Sequence, residues 1–151
     1  MNACRRTWLR SATAWILAAY GSAQAQTDLL QPDQAFRVSA RWGEPGMVEF
    51  QYLIAPGYHL YRDRFSFRTD PASVSVAVID LPPALERFDP ALGQKTHYYA
   101  DRVVIRVRLS DARRTVRLTA TAQGCAAELG VCYPPVIHTF ELTSSGARKL
   151  G

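Results

Sequence analysis

Ala35-Phe36-Arg37-Val38-Ser39-Ala40-Arg41-Trp42 and, beyond the turn-forming Gly43-Glu44-Pro45-Gly46, Met47-Val48-Glu49-Phe50-Gln51-Tyr52-Leu53-Ile54 repeat with a period of two. In the first run Phe36, Val38, Ala40 and Trp42 fall on one side and Arg37, Ser39 and Arg41 on the other. In the second, Val48, Phe50, Tyr52 and Ile54 share a face. Alternation of this kind marks strands that bury one face and expose the other to water, and it decides the fold class.

Downstream the same signal recurs between turn residues. Ala55-Pro56-Gly57 turns the chain, and Tyr58-His59-Leu60-Tyr61 and Phe65-Ser66-Phe67 are short β-prone runs separated by Arg62-Asp63-Arg64. Asp70-Pro71 breaks the pattern before a strand expected from Val74 to Leu81, with Val74, Val76 and Val78 in phase. Pro82-Pro83, Asp89-Pro90 and Gly93 predict a long surface loop from Pro82 to Tyr99. Strands are expected again at Val103 to Leu109, Thr115 to Ala122 and Val136 to Leu142, with a polar tail from Thr143 to Gly151. Upstream, Thr27 to Gln34 reads as an extended lead-in. Seven or eight short strands without an amphipathic helix predict an all-β, antiparallel β-sandwich of immunoglobulin-like build. Its expected core includes Phe36, Val38, Trp42, Val48, Phe50, Tyr52, Val76, Val78, Val104, Val116, Leu118 and Phe140.

A chain of 151 residues suits one domain with a real core. Residues 1–25 stand apart from it. Arg5, Arg6 and Arg10 precede an apolar run from Ala12 to Ala19, and Ala23-Gln24-Ala25 offers a small-x-small cleavage site, which is the build of a signal peptide. The run is too short for a membrane anchor, which needs roughly 20 apolar residues. Residues 26–151 are then the mature domain, expected outside the cytoplasm. The leader holds three of the 18 basic residues and none of the 13 acidic ones, so the net charge of +5 falls to +2 on cleavage. Arg106, Arg108, Arg113, Arg114 and Arg117 read as solvated strand sides, and nothing in this pattern asks for nucleic acid.

Cleavage also simplifies the three cysteines. Cys4 precedes the apolar run, cannot be a lipid-attachment residue at the cleavage point, and leaves with the leader. Cys125 and Cys132 remain, within Gln123-Gly124-Cys125-Ala126-Ala127-Glu128-Leu129-Gly130-Val131-Cys132-Tyr133-Pro134-Pro135, in a compartment that permits disulfides. One account of the pair is a structural staple; a ring this short is worth roughly 2.5 kcal/mol in the chain-entropy model, less than a bridge between distant strands. The other is an exchange site, because a loop between strands gives an attacking thiolate access. Gly124 and Gly130 allow a tight turn, and Pro134-Pro135 restrains the second cysteine. Cys125 and Cys132 with His59, His97 and His138 lack the Cys-x-x-Cys or His-x-x-x-His spacing of a metal site, so neither metal nor cofactor is expected.

Gln-Gly-Cys followed by Cys-Tyr-Pro-Pro resembles the active-site motif of the amino-terminal periplasmic domain of the thiol:disulfide interchange protein DsbD. Pro56-Gly57-Tyr58-His59-Leu60-Tyr61-Arg62 is similar to that family's Gly-Tyr-x-Leu-Tyr segment, and Tyr99-Ala100-Asp101-Arg102 falls where the family enters its next strand. The likeness runs from about Pro32 to Leu142. It implies an immunoglobulin-like, monomeric periplasmic domain that takes two electrons from a membrane-embedded reductase. The electrons pass to thioredoxin-like proteins such as disulfide isomerases or cytochrome c maturation factors. It further implies that Cys132 forms the intermolecular mixed disulfide and Cys125 resolves it, with His59, Tyr61 and Tyr133 near the site.

Three features depart from the family pattern. Ala126 to Val131 places one residue more between the cysteines than is usual there. Where the family covers its disulfide with a loop bearing an aromatic residue before a glycine, the sequence reads Pro90-Ala91-Leu92-Gly93-Gln94, which puts Leu92 in the aromatic's place. Long family members continue into membrane and thioredoxin-like domains, whereas this sequence stops at Gly151, so the electron donor is expected to be a separate polypeptide. The longer loop and the missing cap aromatic favour the other reading, a secreted immunoglobulin-like binding module with a purely structural disulfide; nothing specific supports a chaperone-like domain.

Overall fold

Strands with one apolar face are stable only when that face is covered, and two sheets laid face to face cover each other. The structure, a computed structural model, describes residues 29–90, 92–112 and 115–150. The expected signal peptide lies outside the described residues. In chain order the elements are α1 (Pro32–Ala35), β1 (Phe36–Trp42), β2 (Met47–Ile54), β3 (Tyr58–Tyr61), β4 (Ser66–Asp70), β5 (Val76–Asp80) and β6 (Leu85–Asp89). They continue with β7 (Gln94–Tyr99), β8 (Arg102–Leu109), β9 (Val116–Ala122), β10 (Gly124–Ala126), β11 (Val131–Cys132), β12 (Val136–Thr143) and β13 (Gly146–Leu150).

These strands make three antiparallel sheets, ordered β1-β2-β8-β5, β13-β12-β9-β4 and β11-β10-β3-β7-β6. The first two enclose the core of an immunoglobulin-like β-sandwich. Phe50 of β2 packs against Phe67 of β4 and Phe140 of β12, with ring centroids 5.0 and 5.4 Å apart. Val48, Ile105, Val107, Leu118 and Leu142 are buried around them, each contributing about 1.5–3 kcal/mol through removal from water. The Trp42 indole N–H donates to the Thr143 carbonyl at 2.7 Å and ties the two sheets at one end.

The third sheet lies at an end of this sandwich and grows out of it. Strand β2 passes through the Ala55–Gly57 turn into β3, and β9 runs through Gln123 into β10. The Tyr61 amide donates to the Gln123 carbonyl at 2.9 Å, and β3 and β10 then pair as Gly124 with Leu60, Cys125 with His59 and Ala126 with Tyr58. Strands fixed by the core therefore set the register of the cysteine hairpin.

Several expectations are corrected. Within the expected loop, Leu85–Asp89 and Gln94–Tyr99 are instead the paired strands β6 and β7, joined in register from Leu85 with Tyr98 to Asp89 with Gln94. Pro90 and Gly93 mark the tip between them, where Gly93 takes φ +65°, rather than breaking the segment. The polar tail contains β13, which pairs with β12 through a turn closed at Thr143 and Gly146. The lead-in closes into the single turn α1, with Pro32 at its start and Gln31 as its cap. Val78 is 52% exposed instead of buried, because the pairing of β5 with β8 slips between Val76 and Val78. Val104 points away from the core, where Val103 and Ile105 take the inner face, and Trp42 and Val76 are half-buried against it.

Candidate functional site

Cys125 of β10 and Cys132 of β11 stand directly opposite each other. Their Cα atoms are 3.9 Å apart and their sulfurs are joined in a disulfide. The six residues between them form a small hairpin, turned at Gly130 with φ +64°, and the two cysteines remain paired across its base. Gly124 is required by packing rather than by backbone conformation: a Cβ there would lie 2.1 Å from the His59 carbonyl oxygen and 2.8 Å from the Phe36 ring. This close approach seats Cys125 against β3.

The two sulfurs differ in environment. Cys125 is 3% exposed, whereas Cys132 lies on the surface. The Tyr61 hydroxyl oxygen sits between them and the protein, 3.1 Å from the Cys125 sulfur and 3.8 Å from the Cys132 sulfur. That hydroxyl donates its proton to Asp89, a buried carboxylate on β6 that also accepts the Leu92 amide at 3.3 Å. Burial first, then the Asp89 hydrogen bond and charge, push the Tyr61 phenol up to about 12. Tyr61 is therefore a neutral phenol whose free lone pairs face the sulfurs.

His59 completes this face of the sheet. It is 2% exposed and stacks edge-on against Tyr61 and Tyr98, with centroids 4.9 and 5.5 Å apart. Burial lowers its pKa, the Arg87 charge lowers it further and Asp89 opposes them, so the ring is neutral near pH 7. His59, Tyr61, Arg87, Asp89, Cys125 and Cys132 border one cavity of about 100 Å³. Among the described residues no group of three or more His, Cys, Asp or Glu side chains is placed to hold a metal ion.

His59, Tyr61 and both cysteines are thus brought together. Leu92 lies beyond Tyr61, 44% exposed, beside a neighbouring cavity shared with Asp63, Arg64 and Thr96, and it is Pro90 that borders the cysteine cavity. Tyr133 turns inward beneath the site. Its ring packs edge-on against Phe36 at 5.3 Å and its hydroxyl donates to the Leu30 carbonyl at 2.5 Å, while its amide donates to the Gly124 carbonyl at 2.9 Å. It anchors the hairpin's exit. Asp89 and Arg87 were missed because their segment reads as a loop; the period-two series Leu85, Arg87, Asp89 is the signal that places them on one strand face.

Residues 26–144 match the family model described as thiol:disulfide interchange protein DsbD, N-terminal. The chain belongs to the DsbD N-terminal family. It is 39% identical over 125 residues to the thiol:disulfide interchange protein DsbD of Ralstonia nicotianae, an alignment covering 83% of this chain and 20% of that protein. With the DsbD of Escherichia coli it shares 30% identity over 128 residues, covering 85% of this chain and 22% of the relative. The chain thus spans about a fifth of the length of these relatives. The reduced DsbD N-terminal domain of Neisseria meningitidis superposes with a TM-score of 0.71 at 28% identity, covering 82% of this chain and 96% of that one. The same organism's DsbD N-terminal domain in complex with the PilB N-terminal domain gives a TM-score of 0.66 at 29% identity, covering 80% and 92%. Membership of the DsbD N-terminal family implies a periplasmic setting.

Proposed function

We propose that residues 26–151, released by cleavage of a signal peptide at 1–25, form a periplasmic thiol:disulfide oxidoreductase domain that relays electrons through Cys125 and Cys132. The observation that carries this reading is the unequal burial of the two sulfurs in one short hairpin. A staple gains nothing from presenting one sulfur to solvent, whereas exchange needs one accessible sulfur and one held in reserve. In the reduced protein the Cys132 thiolate attacks a sulfur of the client disulfide, forming a Cys132–client bond and expelling one client thiolate. The Cys125 thiolate then attacks the Cys132 sulfur, re-forms the intramolecular disulfide and releases the second client thiolate. Two electrons leave with the client, and the two protons given up by Cys125 and Cys132 are taken up by the client thiolates.

Tyr61 and His59 line this site from β3, while Tyr133 holds the hairpin from below. The clients are thioredoxin-like periplasmic proteins, a reading supported by the complex that the Neisseria relative makes with a PilB domain. The electron donor is a membrane-embedded thiol reductase, as the membership of longer DsbD proteins suggests. The test is a trap. Cys125→Ala, reduced and mixed with an oxidised thioredoxin-like periplasmic protein, is expected to accumulate a Cys132-linked mixed disulfide visible on non-reducing gels. A variant that forms none removes the relay reading.

A further inference from the structure

Resolution of the mixed disulfide requires the Cys125 thiolate, yet Cys125 is the buried member of the pair, and burial disfavours a thiolate. A base is therefore needed beside it. Tyr61 does not serve, although its oxygen is 3.1 Å from the sulfur. Its own proton is committed to Asp89, and a neutral phenol oxygen is a very weak base. The Asp89 carboxylate already accepts from the Tyr61 hydroxyl and the Leu92 amide.

His59 is differently placed. It opposes Cys125 across the β3–β10 pair, and side chains directly opposed on neighbouring strands share a face with Cβ atoms about 4.5–5.5 Å apart. Both its ring nitrogens are buried without a hydrogen-bond partner, and the ring opens on the cavity that Cys125 and Cys132 also line. A neutral imidazole has one nitrogen lone pair and one N–H. Here the lone pair has nothing else to accept from.

We infer that His59 is the proton acceptor for the Cys125 thiol in the resolving step, an assignment that rests on the exchange reading above. The Cys125 S–H proton moves to an imidazole nitrogen through one water molecule in the shared cavity. The resulting thiolate attacks the Cys132 sulfur, the Cys132–client bond breaks, and the departing client thiolate takes the proton back from the imidazolium. The charges that face His59 from the packed strands are Arg87 and Asp89 on β6, with Tyr98 on β7, Tyr61 on its own strand and Cys125 on β10 as the neighbouring titratable groups. Arg87 works to keep the ring unprotonated and ready to accept.

The test follows the lifetime of the adduct formed when the reduced domain meets glutathione disulfide, measured by acid quenching and mass spectrometry across the pH range. In the parent, resolution is expected to slow as pH falls through an inflection below the ordinary histidine value of 6.5. His59→Phe and His59→Gln are expected to prolong the adduct about 100-fold at pH 7. The difference should close at alkaline pH, where the thiol ionises unaided. Adduct lifetimes and pH profiles equal to the parent's in either folded variant overturn the assignment and leave the exchange reading intact. A parent that forms no adduct at all removes both. Should neither variant fold, the parent's profile decides: an acid inflection supports His59, and a featureless rise with pH up to the thiol's own ionisation contradicts it.

Discussion

The Phe50 cluster between the sandwich sheets and the Tyr61 cluster on the end sheet are both buried, yet they are filled with opposite chemistry. Around Phe50 the neighbours are Phe67, Phe140, Val48 and Leu118; a polar exception nearby is Tyr52, whose buried hydroxyl has no partner and whose pKa is raised by desolvation. Around Tyr61 lie a carboxylate, a guanidinium, a histidine and a disulfide. The His59 nitrogens, Arg87 Nε and Thr96 Oγ1 are buried there without hydrogen-bond partners. Such groups cost stability wherever they occur. Their gathering around Tyr61, with His59 and Arg87 on the cysteine cavity itself, teaches that one region is built for cohesion and the other for chemistry, at the expense of cohesion.

The sharpest way to break that division is Cys132→Ser, expected to reduce transfer of electrons to an oxidised thioredoxin-like protein to background while the fold persists, as followed by insulin-type turbidity and circular dichroism. Retained transfer would move the chemistry elsewhere. Phe50→Ala is the converse change: it should lower stability by about 3–5 kcal/mol in denaturant titration and leave the equilibrium of the cysteine pair with glutathione unmoved. A coupled change in both would show that core and site are not separable.

Asp89→Asn probes the site without emptying it. Removing a negative charge from behind Tyr61 favours thiolates, so the cysteine thiols of the reduced protein should ionise about one pH unit lower, read from ultraviolet thiolate absorbance. An unchanged titration would mean that Asp89 acts only in holding the hairpin tip.

The smallest expected effect compares two buried histidines, one in each region. His59 and His138 both have pKa values lowered by burial, with Lys149 adding to the shift at His138 and Asp33 opposing it. Between the lowered folded pKa and the unfolded value of 6.5, the unfolded chain binds more protons, so stability rises with pH in that window and is lost as pH falls through it. Each histidine contributes less than about 1.4 kcal/mol per pH unit. His138→Phe and His59→Phe should both flatten the slope in thermal melts, but only His59→Phe should also alter thiol exchange.

Much of this division was legible in the sequence. The sandwich strands followed from alternation at Phe36 to Trp42 and Val48 to Ile54, and the cysteine pair from Gln-Gly-Cys and Cys-Tyr-Pro-Pro. The half of the site carried by β6 was not. Leu85, Arg87 and Asp89 alternate, but only one of the three is apolar, and the flanking prolines outweigh so weak a period. Asp89 is buried because its partner is Tyr61 from β3, a contact made by tertiary pairing and invisible to local pattern. The same holds for Val78, whose exposure depends on a slip in register against β8, and for β13, whose polar sequence becomes a strand only because β12 offers an edge.

The central claim is that the bond between Cys125 and Cys132 is exchanged rather than merely kept. Equilibration of the domain against graded glutathione and dithiothreitol couples, with the oxidised fraction read by thiol alkylation, tests it most directly. The account predicts a reduction potential above about −300 mV, within reach of thiol partners. A potential below that value, with the bond intact in every glutathione buffer, would make the pair a staple and contradict it.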